Sequence, residues 1–99
     1  MTSCNRIVLC GRISEITPLR YTPAGVSALD LVIAHDSEQW EAGFKRRAVC
    51  EVPLLAMAET AIQAARFKVG DVVGVEGFLA RRGRQGMRLV LHVKRIELI

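Results

Sequence analysis

Between residues 54 and 67 the chain changes its rhythm. Leu54, Ala58, Ala61, Ile62 and Ala65 recur at three- and four-residue spacing amid abundant alanine. That spacing predicts a short amphipathic helix over Leu54–Phe67. Everywhere else the apolar residues alternate with period two, the spacing of strands with one buried face. At 99 residues there is chain for one modest core, so residues 1–99 read as a single domain of strands with one helix.

Along Asn5–Ile13, Ile7, Leu9, Gly11 and Ile13 fall on one side, with Arg6, Val8, Cys10 and Arg12 on the other. Gly11 inside this first strand predicts a bulge or sharp bend. Thr17 and Pro18 mark a break, and residues 21–27 supply a turn. There Pro23 presets the first central dihedral and Gly25 accepts the positive φ that closes it. Residues 27–37 form a second strand with Leu29, Leu31 and Ile33 on one face. The polar segment Glu38–Gly43 reads as a loop carrying Trp40, and a third strand starts at Phe44 and ends at Pro53, which cannot donate to a ladder. After the helix come a turn at Val69–Asp71, a fourth strand, the turn "RRGRQG" and a fifth strand from Met87. Strand, strand, strand, helix, strand, strand is the order of a mainly β, five-stranded Greek-key OB-fold barrel with its helix between strands three and four. Small sandwiches and SH3-like barrels share the size and strand content, but the position of the helix favours the OB arrangement.

Charge is concentrated rather than spread. The net charge is +4, yet residues 77–95 alone hold Arg81, Arg82, Arg84, Arg88, Lys94 and Arg95 and no carboxylate. Outside that stretch eight cations face ten anions. A second short basic run is Lys45, Arg46 and Arg47. Positive charge gathered on a near-neutral body is the footprint of a protein that docks on phosphates. If strands four and five pair, the basic run becomes their connecting loop, where each guanidinium offers a donor fork to phosphate and a flat face to a base. Trp40 and Phe44 flank the start of the third strand, just ahead of the second basic run, and aromatic platforms beside cations suit sequence-tolerant binding of single strands. Tyr21 beside Arg20 is a weaker platform. Phe67 and Phe78 are assigned to the core. Lys94 and Arg95 take opposite faces of a regular strand, so at most one faces a groove.

Other chemistries find little support. There is no phosphate-binding or dinucleotide glycine motif and no H-E-x-x-H, so neither catalysis nor a cofactor is implied. His35 and Asp36 are tempting as an acid/base pair, but neighbours in a strand point to opposite faces. The two histidines are isolated and no C-x-x-C occurs, so no metal is expected. Cys4, Cys10 and Cys50, an odd set, read as reduced thiols of a cytoplasmic protein. No apolar run approaches the roughly 18 residues of a membrane span, and Asn5, Arg6 and Arg12 interrupt the amino terminus where a signal peptide needs continuous apolar sequence. Half of the residues, 51%, are hydrophobic, more than so small a chain hides alone, which predicts a subunit interface. OB barrels serve DNA and RNA alike, and no residue visibly reads a 2′-hydroxyl.

The segments "NRIVLCGRI", "TPLRYTPAGVSALDLVIAH", "EAGFKRRAVCEVP", "VGDVVGVEGFL" and "LVLHVKRIELI" resemble the bacterial primosomal replication protein N (PriB) family over nearly the whole chain. The resemblance implies an OB-fold homodimer that binds single-stranded DNA without catalysis. It also implies a role in replication restart, with the PriA helicase and DnaT as partners. Family binding positions match Phe44 and the basic loop Arg81–Arg88. Two departures stand out. The family's tryptophan between the alanine and cysteine of strand three is Val49 here, and the loop between strands four and five is shorter, with arginines for lysines. Losing a stacked aromatic costs on the order of 1–3 kcal/mol, so weaker DNA binding is expected than in a member that keeps the tryptophan.

Overall fold

A computed structural model describes residues 1–99. Its strands are β1 (Ile7–Ile16), β2 (Arg20–Tyr21), β3 (Ser27–Glu41), β4 (Phe44–Met57), β5 (Val72–Arg81) and β6 (Leu89–Leu98), with one helix, α1 (Glu59–Ala64). Neighbours run β1-β5-β6-β4-β3-β2, and β1 also pairs with β3, which closes five strands into a barrel and leaves β2 as a two-residue flap on β3. The closed Greek-key barrel with its helix between the third and fourth barrel strands is the OB fold expected from the alternation.

Inward-facing side chains fill the barrel in the expected period. Ile13, Leu29, Leu31, Ile33, Leu54, Val73, Val75 and Leu91 are almost wholly buried. Helix α1 lays Ala61 and Ala64, both fully buried, against the same core, where only a methyl-sized side chain allows close approach. Phe67 packs at the edge of this cluster. The turn at residues 22–26 forms as the sequence implies, with Gly25 N–H donating to Thr22 O at 2.8 Å and φ of 82° at Gly25.

Several boundaries differ from expectation. Glu38–Gly43 is no loop: β3 and β4 stay in register out to Glu41 and Phe44, forming a long two-stranded arm. The turn at its tip is only Ala42 and Gly43, both at positive φ (53° and 81°), as a type I′ hairpin turn requires. Pro53 does not end its strand; it pairs with Val32 inside β4. β6 reaches β4 only at Leu54 and Leu55, so β4 has an open edge up to Pro53 where a missing N–H is tolerated. The helix is accordingly shorter than predicted, because Leu54–Met57 continue β4. Leu54 and Ala56 are buried there as alternate residues.

Two irregularities shape the barrel. In β1 the partner steps from Ile33 at Ile13 to Val32 at Glu15, so the bulge falls at Ser14 and not at Gly11. Gly11 instead permits close approach, since a Cβ there would lie 2.7 Å from the Ala34 carbonyl oxygen. In β6, Arg95 opposes Glu76 and Val93 opposes Gly77, which leaves Lys94 as an extra residue. The bulge turns Lys94 and Arg95 both outward, between Val93 and Ile96 which point in. The expectation that Lys94 and Arg95 take opposite faces, which assumed a regular strand, is therefore corrected.

Candidate nucleic-acid interface

The basic loop sits where β5 hands over to β6. Arg81 is the last residue of β5, and Arg82 N–H donates to Arg88 O at 2.9 Å to close the loop. Arg81 Nε donates to Gly83 O at 3.3 Å, while Arg84 and Arg88 are exposed and carry no ion pair. Arg82 leans toward Asp30 of β3, 3.6 Å away, and Arg20 of β2 donates to the same carboxylate at 2.9 Å. Arg20 and Arg82, far apart in sequence, thus converge on one outward-facing acid. Tyr21 next to Arg20 is 68% exposed.

The arm places the second basic run. Residues directly opposite in an antiparallel pair share a face, so Trp40 with Lys45, Glu38 with Arg47 and Asp36 with Val49 make the outer face. Glu41 with Phe44 and Gln39 with Arg46 continue the face that lines the barrel interior. Trp40 and Phe44 are 71% and 75% exposed, yet they stand on opposite faces and do not form one platform. Lys45 Nζ lies 5.9 Å from the Trp40 ring centroid.

Each cation of the arm is answered by a carboxylate of β3. Lys45 meets Glu38 at 3.7 Å, Arg46 meets Glu41 at 2.9 Å and Arg47 meets Asp36 at 2.6 Å. The hydrogen bond from Arg47 holds the Asp36 carboxyl below its usual value and raises the guanidinium in turn. The arm is therefore a charge-compensated ribbon, whereas three cations without an ion pair, Arg81, Arg84 and Arg88, gather at the β5–β6 loop. Val49 is 64% exposed on the arm's outer face.

Three features were not found from the sequence. Asp30 organises two arginines, and its only signal was an acid at an outward position of a strand. Phe78 is not a core residue: it stands on the outer face of β5 and its ring stacks on His92 of β6, with centroids 4.8 Å apart and planes within 6°. The bulge that turns both Lys94 and Arg95 outward left no mark in the hydropathy pattern. The pair His35 and Asp36 does split across the two faces, His35 binding the Cys10 carbonyl at 2.6 Å and the Ser37 hydroxyl at 2.7 Å. All three cysteines are free and exposed. No helix is long and apolar enough to cross a membrane.

A closed OB barrel with an arginine-rich β5–β6 loop and aromatic side chains along its surface has the build of a single-strand-binding module. The family model described as another single-strand binding protein family matches residues 5–95. Replication restart protein PriB of Nitrosomonas europaea is 38% identical over 95 residues, covering 96% of this chain and 88% of that protein. The PriB of Photorhabdus laumondii is 37% identical over 98 residues, covering 96% and 93%. Among solved structures, PriB from Ralstonia solanacearum superposes with a TM-score of 0.88 at 29% identity over 97% of this chain and 98% of that one. The single-stranded DNA binding protein from Thermus aquaticus shares the fold, with a TM-score of 0.78 at 22% identity over 96% of this chain and 50% of that one. The chain belongs to the PriB family of replication restart proteins.

Proposed function

We propose that this protein is a non-catalytic single-stranded DNA-binding component of replication restart, working in the cytoplasm as a homodimer with the PriA helicase and DnaT. The observation that carries the reading is the uncompensated cluster Arg81, Arg84 and Arg88 on the β5–β6 loop of an OB barrel, in a chain whose other cations are largely paired. Phosphates bound there release condensed counterions, so affinity falls steeply with salt. The titration that tests this compares wild type with an Arg81/Arg84/Arg88 triple alanine variant on single-stranded, duplex and RNA oligonucleotides at about 50 and 200 mM salt. Wild type is expected to weaken steeply over that range and the variant to bind poorly throughout. Equal binding by both would remove the loop from the site. The dimer reading is supported by the open edge of β1 at Ile7–Leu9, short of its contacts with β3, and by exposed Val8 and Ile99 beside it.

A second reading is favoured by the arm. Its cations are neutralised by their own carboxylates and its tryptophan position holds Val49. In that reading the protein is chiefly an adaptor for the helicase, and DNA contact is incidental. Loss of helicase stimulation by the triple variant with DNA affinity kept would decide for it.

A further inference from the structure

Beyond the loop, the outer face of the barrel joins aromatic surface to positive charge at a second place. Phe78 and His92 are cross-strand partners on β5 and β6, their rings parallel and in contact distance, and Lys94 Nζ lies 5.9 Å from the Phe78 centroid. Both rings are half-buried. Beside His92 opens a groove of about 310 Å³ whose lining includes Arg20, Asp30, Leu55, Arg81 and Arg82. That volume lies at the lower end of the range for small-ligand pockets. Two guanidiniums, of Arg20 and Arg82, converge on the one carboxylate of the lining, and Arg81 adds a third cation, which leaves the groove with surplus positive charge. Arg20 is hydrogen-bonded to Asp30, whereas Arg82 is held only as an ion pair at 3.6 Å and is free to exchange that partner for a phosphate.

An aromatic cross-strand pair stabilises a sheet by itself, but here one ring of the pair, His92, lines a cationic groove and the other, Phe78, stacks on it from outside the lining. An apolar peptide there would leave the guanidiniums without acceptors, and a carboxylate ligand would leave the ring faces unused. A nucleotide satisfies both. We propose that the outer face of β5 and β6 holds a nucleotide subsite of single-stranded DNA, the base against the Phe78–His92 stack and its phosphate on Arg81 and Arg82, with the strand leaving past Lys94. This rests on the single-strand-binding reading. It adds to that reading the place where a base is stacked.

The subsite is tested on the full chain with oligothymidylate carrying 5-iodouracil, photo-crosslinked and mapped by tryptic peptides, alongside Phe78→Ala, His92→Ala and Arg82→Ala. Crosslinks are expected in Val69–Arg81 and Leu89–Lys94, the peptides holding the two rings. Phe78→Ala and His92→Ala should each weaken oligonucleotide binding roughly 5- to 50-fold with the salt slope unchanged, since stacking releases no counterion, while Arg82→Ala should flatten the slope. The crosslink map uses wild type, so a poorly folded Phe78 variant does not leave the matter open. Crosslinks confined to the arm, together with ring variants that bind like wild type, would overturn the subsite while leaving single-strand binding intact. Complete displacement by millimolar thymidine monophosphate would also overturn it, in favour of a site for free nucleotide. Wild type that fails to bind single strands at low salt defeats the functional reading itself, and the subsite with it.

Discussion

Arg47 and Asp36 sit diagonally across the β3–β4 arm, Nε donating to Oδ1 at 3.0 Å and Nη2 to Oδ2 at 2.6 Å. The two-point contact uses the donor fork that a phosphate would otherwise take. Any phosphate engaging Arg47 must therefore displace a carboxylate of the protein itself.

Asp36→Asn should release that guanidinium. Single-strand affinity is expected to rise about two- to fivefold, as befits an exposed ion pair. The dependence of log affinity on log salt should steepen by about 0.7, the increment for one added phosphate contact on a single strand. Titrations at several salt concentrations read both. An unchanged slope would mean that Arg47 lies off the path of the strand.

Val49→Trp tests whether a strand runs along the arm. The side chain is exposed on the outer face, so a larger ring meets no core packing. Binding of a labelled oligonucleotide, followed by fluorescence anisotropy, should tighten by roughly 1–3 kcal/mol, the value of one base stacked on an aromatic ring. Unaltered affinity would indicate that the strand passes the barrel surface and not the arm.

Alternation of apolar residues made the barrel legible because each of its strands has one buried face: Leu29, Leu31 and Ile33 announce β3 without ambiguity. The arm was illegible for the converse reason. Beyond His35 both faces of the ribbon meet solvent, so Glu38–Glu41 carry no alternation and look like loop although they pair in register. The run Leu54–Ala58 is apolar at every position and satisfies the period of a strand and of a helix equally, which hid the end of β4. The basic loop was legible as composition. Which of its arginines are free was not, because Asp30 reaches Arg82 only through the fold. Phe78 was misplaced by its size: the regular alternation of β5, with Val73 and Val75 buried, sets it on the outer face, where the ring of His92 and not the core covers it.

Gly77 is where the barrel tolerates least. A Cβ at this position would collide with the His92 carbonyl and lie 3.0 Å from Leu91 Cδ2. Gly77→Ala must therefore push β5 from β6 next to the bulge, and a loss of about 1–3 kcal/mol or more is expected from such overpacking. Urea unfolding of the two proteins measures it. Gly86→Ala in the exposed loop, where nothing lies within 4 Å, carries only the strain of its positive φ and should lose less.

Glu76 gives the stability a defined dependence on pH. Its carboxyl is held below its ordinary value, first by the hydrogen bond from Arg6 Nε at 2.9 Å and then by the nearby charges of Arg6, Arg95 and Lys94. A carboxylate whose pKa is lower in the folded chain adds stability that is complete above its unfolded value and is lost as pH falls through the folded one. Glu76→Gln should therefore unfold at lower urea than wild type at pH 7, and the difference should shrink as pH drops below about 4, where wild type loses the same charge. Arg6→Ala should show the same narrowing, because it removes the principal partner. A gap that stays constant from pH 7 to pH 3 would assign the effect of the substitution to packing and not to the ion pair.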